Sequence, residues 1–133
     1  DGRPLRDDPV IRKRIAELHT DAEVARVMGL KFVCEAVKVE AAVREGKEGF
    51  QPPTVEASEY NLFTTELSRR LADAAMDIAG PGSQLRVRTE DAPMKGRSES
   101  TYRYTVIDTI GGGASEIQTN IIARRGLGLP KNF

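Results

Sequence analysis

"DPVIRKRIAELHTDAEVARVMGLKFVCEAVKVEAAVREG", from Asp8 to Gly46, carries one uninterrupted helical period. Asp8 offers a capping carboxylate and Pro9 a pre-set φ at the first helical position. Ile11, Ile15, Leu18, Ala22, Ala25, Phe32, Ala36 and Val43 then recur as an apolar stripe, with Met28 beside it. A helix over about 9–45 is predicted. Roughly 36 residues at about 1.5 Å each make a rod of about 54 Å. A rod of that length needs helical partners of similar length.

The rest of the chain supplies some of them. "GKEGFQPP" (46–53) breaks the first helix. A second is predicted over about 54–79, with Phe63, Leu67, Leu71, Ala74 and Ile78 on one side, stopped by Gly80-Pro81-Gly82. "SQLRVRTEDAPMKGRS" (83–98) has no defensible period. A third helix is predicted over about 99–110, with Tyr102, Val106 and Ile110 on one side. A fourth, short one covers about 115–125, edged by Ile117, Ile121 and Ile122 and ended by Gly126; "LGLPKNF" is a tail. No repeat, low-complexity tract or alternating strand pattern interrupts this series. The fold class is therefore all-α, a single domain over 1–133 built as an antiparallel helical bundle. Two long helices, one middling and one short do not complete a four-helix bundle. A long helix is missing on the N-terminal side, or another subunit supplies it. The opening "DGRPLRDDPV" has no initiator methionine and reads as a piece of a longer or processed chain.

Composition excludes several functions. Lys+Arg and Asp+Glu are both 20, so the net charge is zero and no basic patch announces nucleic acid. There is no Trp and only 5% aromatic content, which leaves no stacking platform for bases. Cys34 is the only cysteine, so no disulfide forms within the chain, and no His/Cys pattern suggests a metal. No signal-peptide pattern or long apolar run is visible, so no membrane span is expected and the location reads as cytoplasmic. The lone histidine, His19, reads as a surface or partly packed residue on the first helix, and Cys34 as a small apolar one.

"IGGGASEIQTNIIARRGLGLP" (Ile110–Pro130) concentrates the remaining signal. Gly111, Gly112 and Gly113 precede a helix start, where free N–H groups and the positive dipole end can hold an anion. A tight helix–helix turn is the plainer reading. Glu116 and the Arg124-Arg125 pair also suit the two ends of any helix.

This closing segment resembles that of acyl-CoA dehydrogenases, a pattern of the form G-G-T-S-E-I-Q-R-N-I-I-A-x-R-x-L-G-L-P. "YRYTVIDTI" looks like the family's penultimate helix, with Arg103 at its arginine. "ELSRRLADAAMDIAGPGS" resembles the helix before that, and "RKRIAELHTDAEVARVMG" the long helix opening the second half of the bundle. The resemblance spans about Pro9 to Pro130. It implies most of the C-terminal helical domain of a three-domain flavoenzyme, without the first helix of that domain.

The implied reaction is α,β-desaturation of an acyl-CoA thioester. A glutamate takes the α-proton, the flavin of FAD takes the β-hydride, and an electron-transfer flavoprotein-type acceptor reoxidises it. In many members the glutamate stands at the position of Gly112, which has no side chain, so no catalytic residue is expected on this chain. In some branches it stands on the first helix of the domain. Either the base lies outside this sequence or the subunit is not catalytic. The resemblance implies cofactor contacts for Gly80, Gly82, Gly113, Ser115, Glu116 and Gln118. Ala114 replaces a threonine, Asp77 replaces a glutamine whose counterpart meets a neighbouring subunit's flavin, and Pro81 removes one N–H.

Two functions follow. One is the C-terminal domain of a FAD-dependent acyl-CoA dehydrogenase, contributing flavin-contact and oligomer-interface surface. The other is a cofactor-poor partner subunit or helical interaction module. Either associates as a dimer or tetramer with itself or a homologous subunit, and 1–133 alone is expected to be inactive.

Overall fold

The computed structural model describes residues 4–130; the ends of the predicted domain and the last residues of the tail lie outside them. Four α-helices make the fold: α1 (Pro9–Arg44), α2 (Thr54–Ala79), α3 (Arg97–Asp108) and α4 (Ser115–Ile121). Short 3-10 turns cover Leu5–Asp7, Pro81–Gln84 and Pro93–Gly96, and α4 runs on into a π turn over Ile122–Gly126. No strand occurs among the described residues.

Asp8 caps α1 as its position demands, its Oδ1 accepting from the amides of Val10 at 2.8 Å and Ile11 at 3.2 Å. Gly80, at φ +69, ends α2. The third helix begins two residues earlier than its apolar pattern suggests and ends at Asp108, because the chain tightens through Thr109 and Ile110 into the glycine turn.

Helix α2 is the centre. It packs on α1, α3 and α4, and holds the buried side chains of Ser58, Leu67, Ala72 and Ala74. Helices α1 and α2 run antiparallel, in a register marked by three cross-helix ion pairs. Arg14 meets Asp77 at 2.7 Å, Asp21 meets Arg70 at 2.7 Å, and Lys31 meets Glu59 at 3.9 Å. As the α1 number climbs from 14 through 21 to 31, the α2 number falls from 77 through 70 to 59. Between them the rings of Phe32 and Tyr60 stack, centroids 6.4 Å apart. Gly29 lets the helices close there, since a Cβ on it would stand 3.2 Å from the Tyr60 ring.

Two expectations about faces are corrected. The inward stripe of α1 keeps Ile11, Leu18, Ala25, Met28, Phe32 and Ala36 but passes through Val39 and Ala42; Ile15, Ala22 and Val43 point outward. On α3 the apolar side is the uncovered one: Tyr102 and Val106, and Ile110 in the turn just after it, are exposed, while the small polar Ser98 and Thr105 are buried. Small side chains let α3 approach α2 closely, and the bulky ones face away.

Candidate functional site

The glycine turn and the start of α2 meet in a cleft. Thr54, Ala57, Ser58 and Asn61 follow one another at helical spacing on the first two turns of α2. Gly112, Gln118, Ile121 and Arg125 face them, and the space between is about 320 Å³. A second cleft of about 370 Å³ lies alongside, lined by Gln51, Pro52, Thr54, Val55 and Glu56, and Arg125 borders both.

Local physics explains the turn. Gly111 donates to the Ile107 carbonyl at 2.8 Å and Gly113 to that of Ile110 at 3.2 Å, which closes off α3. Reversing the chain then takes two residues of positive φ, Gly112 at +74 and Gly113 at +114. Gln118, only 5% exposed, reaches back from α4, its Nε2 donating to the carbonyls of Gly112 at 2.8 Å and Gly113 at 3.3 Å. A Cβ on Gly113 would lie 2.8 Å from that nitrogen. Ser115 Oγ donates to Glu66 Oε1 at 2.8 Å, tying the start of α4 to the middle of α2. The amides of Gly112 and Ala114 donate to no backbone group among the described residues.

The six residues implied as cofactor contacts thus fall into two places, brought together neither by sequence nor by the cleft. Gly113, Ser115, Glu116 and Gln118 gather at the turn; Gly80 and Gly82 stand at the far end of α2. Only Glu116 keeps a side chain that is exposed and bonded to nothing described. Gln118 and Ser115 spend theirs on holding the turn. Gly82 is small because of protein, since a Cβ there would meet the Pro93 ring at 3.1 Å. Asn61 and Glu66 were not singled out in the sequence, and Arg125 was read there only as a cation suited to a helix end. The Thr54, Ser58, Asn61 spacing was the available signal; the Glu66–Ser115 bond has none. Among the described residues no cluster of His, Cys, Asp and Glu could hold a metal.

A helical domain with a glycine reversal feeding a short last helix, tethered by Gln118, defines the class. The family model described as "Acyl-CoA dehydrogenase, C-terminal domain" matches residues 1–127, and the chain belongs to that family. It is 30% identical over 130 residues to the acyl-CoA dehydrogenase FadE26 of Mycobacterium tuberculosis, covering 98% of this chain and 30% of the relative. It is 35% identical over 126 residues to IpdE1 of the same organism, covering 94% and 28%. The chain therefore spans about three tenths of the length of these relatives. The crystal structure of the ChsE4-ChsE5 complex from M. tuberculosis superposes with a TM-score of 0.78 at 30% identity, over 99% of this chain and 31% of that one. The Tcur3481-Tcur3483 steroid ACAD shares the fold at TM-score 0.77 and 22% identity, over 96% and 30%.

FAD, which the family generally uses, fits this surface in part. The turn keeps unused amides at Gly112 and Ala114, suited to a polar ring edge. The α2 end does not suit an anionic group: Pro81 has no N–H, Gly82 is packed on Pro93, and the Asp77 carboxylate stands beside Arg14. Arg14 offsets that charge but has its guanidinium engaged in doing so.

Proposed function

We propose that this chain is the C-terminal helical domain of a FAD-dependent acyl-CoA dehydrogenase whose catalytic base lies outside residues 1–133. The observation that carries the reading is Gly112. It stands where many members of the family hold their glutamate, it has positive φ, and it has no side chain. Among the described residues no carboxylate lines the cleft around it. Desaturation removes the α-proton to a base and the β-hydrogen as hydride, leaving the C=C bond. FAD supplies the hydride acceptor, and the electrons pass on to an electron-transfer flavoprotein-type partner. The part of this chain is positional: a rigid turn with a free Gly112 amide that can polarise a thioester carbonyl next to the α-carbon. By analogy with the ChsE4-ChsE5 complex, the complete enzyme assembles with a homologous subunit.

A second reading, the cofactor-poor partner subunit, is favoured by the α2 end with Asp77, Pro81 and the packed Gly82. One experiment separates them. The full-length protein is co-purified with its homologous partner, its flavin absorbance recorded, and acyl-CoA turnover followed with a dye acceptor. Replacing each carboxylate of its preceding helix by the matching amide should abolish turnover at one position. If every such variant stays active, the base belongs to the other subunit and the second reading stands.

A further inference from the structure

The cleft at the Gly112 turn contains a polar group that the fold itself does not use. Asn61 is half-buried on α2, and its side chain makes none of the described hydrogen bonds; only its backbone carbonyl accepts, from Thr64 at 3.2 Å and Thr65 at 2.9 Å. Its Nδ2 would stand 3.2 Å from a Cβ placed on Gly112. The amide therefore points into the space that a side chain at position 112 would take. Two neighbouring polar groups are committed, Ser58 Oγ donating to the Thr54 carbonyl at 2.8 Å and Gln118 Nε2 to the turn, while Thr54 and Arg125 border the same cleft. Ala57 and Ile121 make the wall beside them apolar. A partly desolvated, unpartnered donor in an apolar-walled cleft is one of the few groups that orient a ligand.

We propose that Asn61 is a substrate-contacting residue, whose Nδ2–H donates to the thioester carbonyl oxygen of the acyl substrate seated over Gly112. The proposal rests on the acyl-CoA reading above and adds the residue that touches the reacting group. An amide cannot accept the α-proton, so Asn61 is no substitute for the missing glutamate. It can stabilise the charge that reaches the carbonyl oxygen as that proton leaves. A fixed donor aimed at developing charge in a site shielded from water typically accounts for about 10²–10³-fold in rate. Gly112 is then what makes the contact possible, because any side chain there would displace the Asn61 amide.

The test uses the full-length protein with its partner and an acyl-CoA labelled with ¹³C at the thioester carbonyl. Infrared difference spectra report the carbonyl stretch of the bound thioester, and steady-state assays report kcat and KM separately. Asn61→Asp preserves size and removes the donor; Asn61→Leu removes all polarity, and thermal midpoints check that both are folded. The expected result is a stretch lowered in the parent and returned toward its free value in both variants, with kcat down about 10²-fold. A folded variant with the parent's stretch overturns the assignment, even if KM rises, because the amide then only shapes the cleft. A parent that turns over while Asn61→Asp matches it overturns the assignment alone. A parent that binds no acyl-CoA overturns both readings.

Discussion

At the scale of single residues, the turn from Gly111 to Ser115 is held rather than loose. Gln118 makes it so. Replacing Gln118 by Leu would leave the Gly112 and Gly113 carbonyls without their side-chain donor in a half-buried place, a cost of about 1–3 kcal/mol. Thermal or urea unfolding should show it; an unchanged midpoint would mean the tether is ornamental. Gly112→Glu asks a different question. A side chain at φ +74 costs on the order of 1 kcal/mol, and its Cβ would press on Asn61 Nδ2 at 3.2 Å. Its carboxylate would also stand near any base brought from elsewhere, and two such groups at close range cannot both stay ionised. The full-length variant should therefore be slower than its parent. A faster one would show that the parent has no base, and would favour the partner-subunit reading. Gly96 is constrained by space as well as conformation: at φ +74 its missing Cβ would run into the backbone of Arg86 and Val87. Gly96→Ala should unfold at markedly lower temperature.

At the scale of elements, the register of α1 against α2 is written in charge and size. The pairs Arg14–Asp77 and Asp21–Arg70 are well formed but solvent-facing, so each contributes about 0.2–1 kcal/mol. A double-mutant cycle on Asp21 and Arg70 should return a coupling in that range that weakens with added salt; a zero coupling would leave the register to Gly29, Phe32 and Tyr60. Leu67, nearly fully buried, should cost about 2–5 kcal/mol when cut to Ala. These helices were legible in the sequence because Asp8-Pro9, Gly80 and the spacing of apolar residues are local signals. The faces were less legible. A long helix that is apolar on more than one side gives several stripes that fit, and only a partner chooses among them. That is why Ile15 and Val43 turned out exposed while Ala42 is buried. The site divides the same way: the glycine turn reads locally, but Asn61 and Glu66 reach it across about 50 positions of chain, and no spacing rule carries that far.

At the scale of the whole molecule, the arrangement is open. Helices α1 and α3 both lean on α2, which leaves the outer sides of both uncovered. Phe63, Leu67 and Leu71, on one side of α2, form no exposed patch: Leu67 is buried and Phe63 half-buried, with only Leu71 at 42% exposure. The apolar surface lies elsewhere. On α1, Val27, Leu30, Cys34, Val37 and Ala41 repeat at alternating intervals of three and four, a seam that fits another helix. Tyr104 and Ile107 on α3, and Ile110 just beyond its end, are each more than 60% exposed. Contiguous apolar surface of this kind marks an interface. In the complete protein, sequence outside 1–133 or a second subunit has these faces to cover. In the isolated chain nothing does, so it should associate with itself. Sedimentation velocity on 1–133 should give a species heavier than the 14.6 kDa protomer. The double variant Leu30→Glu, Val37→Glu puts two charges into the α1 seam without touching its inward stripe. It should sediment as a monomer with its helical content intact. If the unaltered chain is already a clean monomer at high concentration, the exposed seam is not an interface. If the double variant remains associated, the seam of α1 is acquitted and the exposed side of α3 becomes the contact to test.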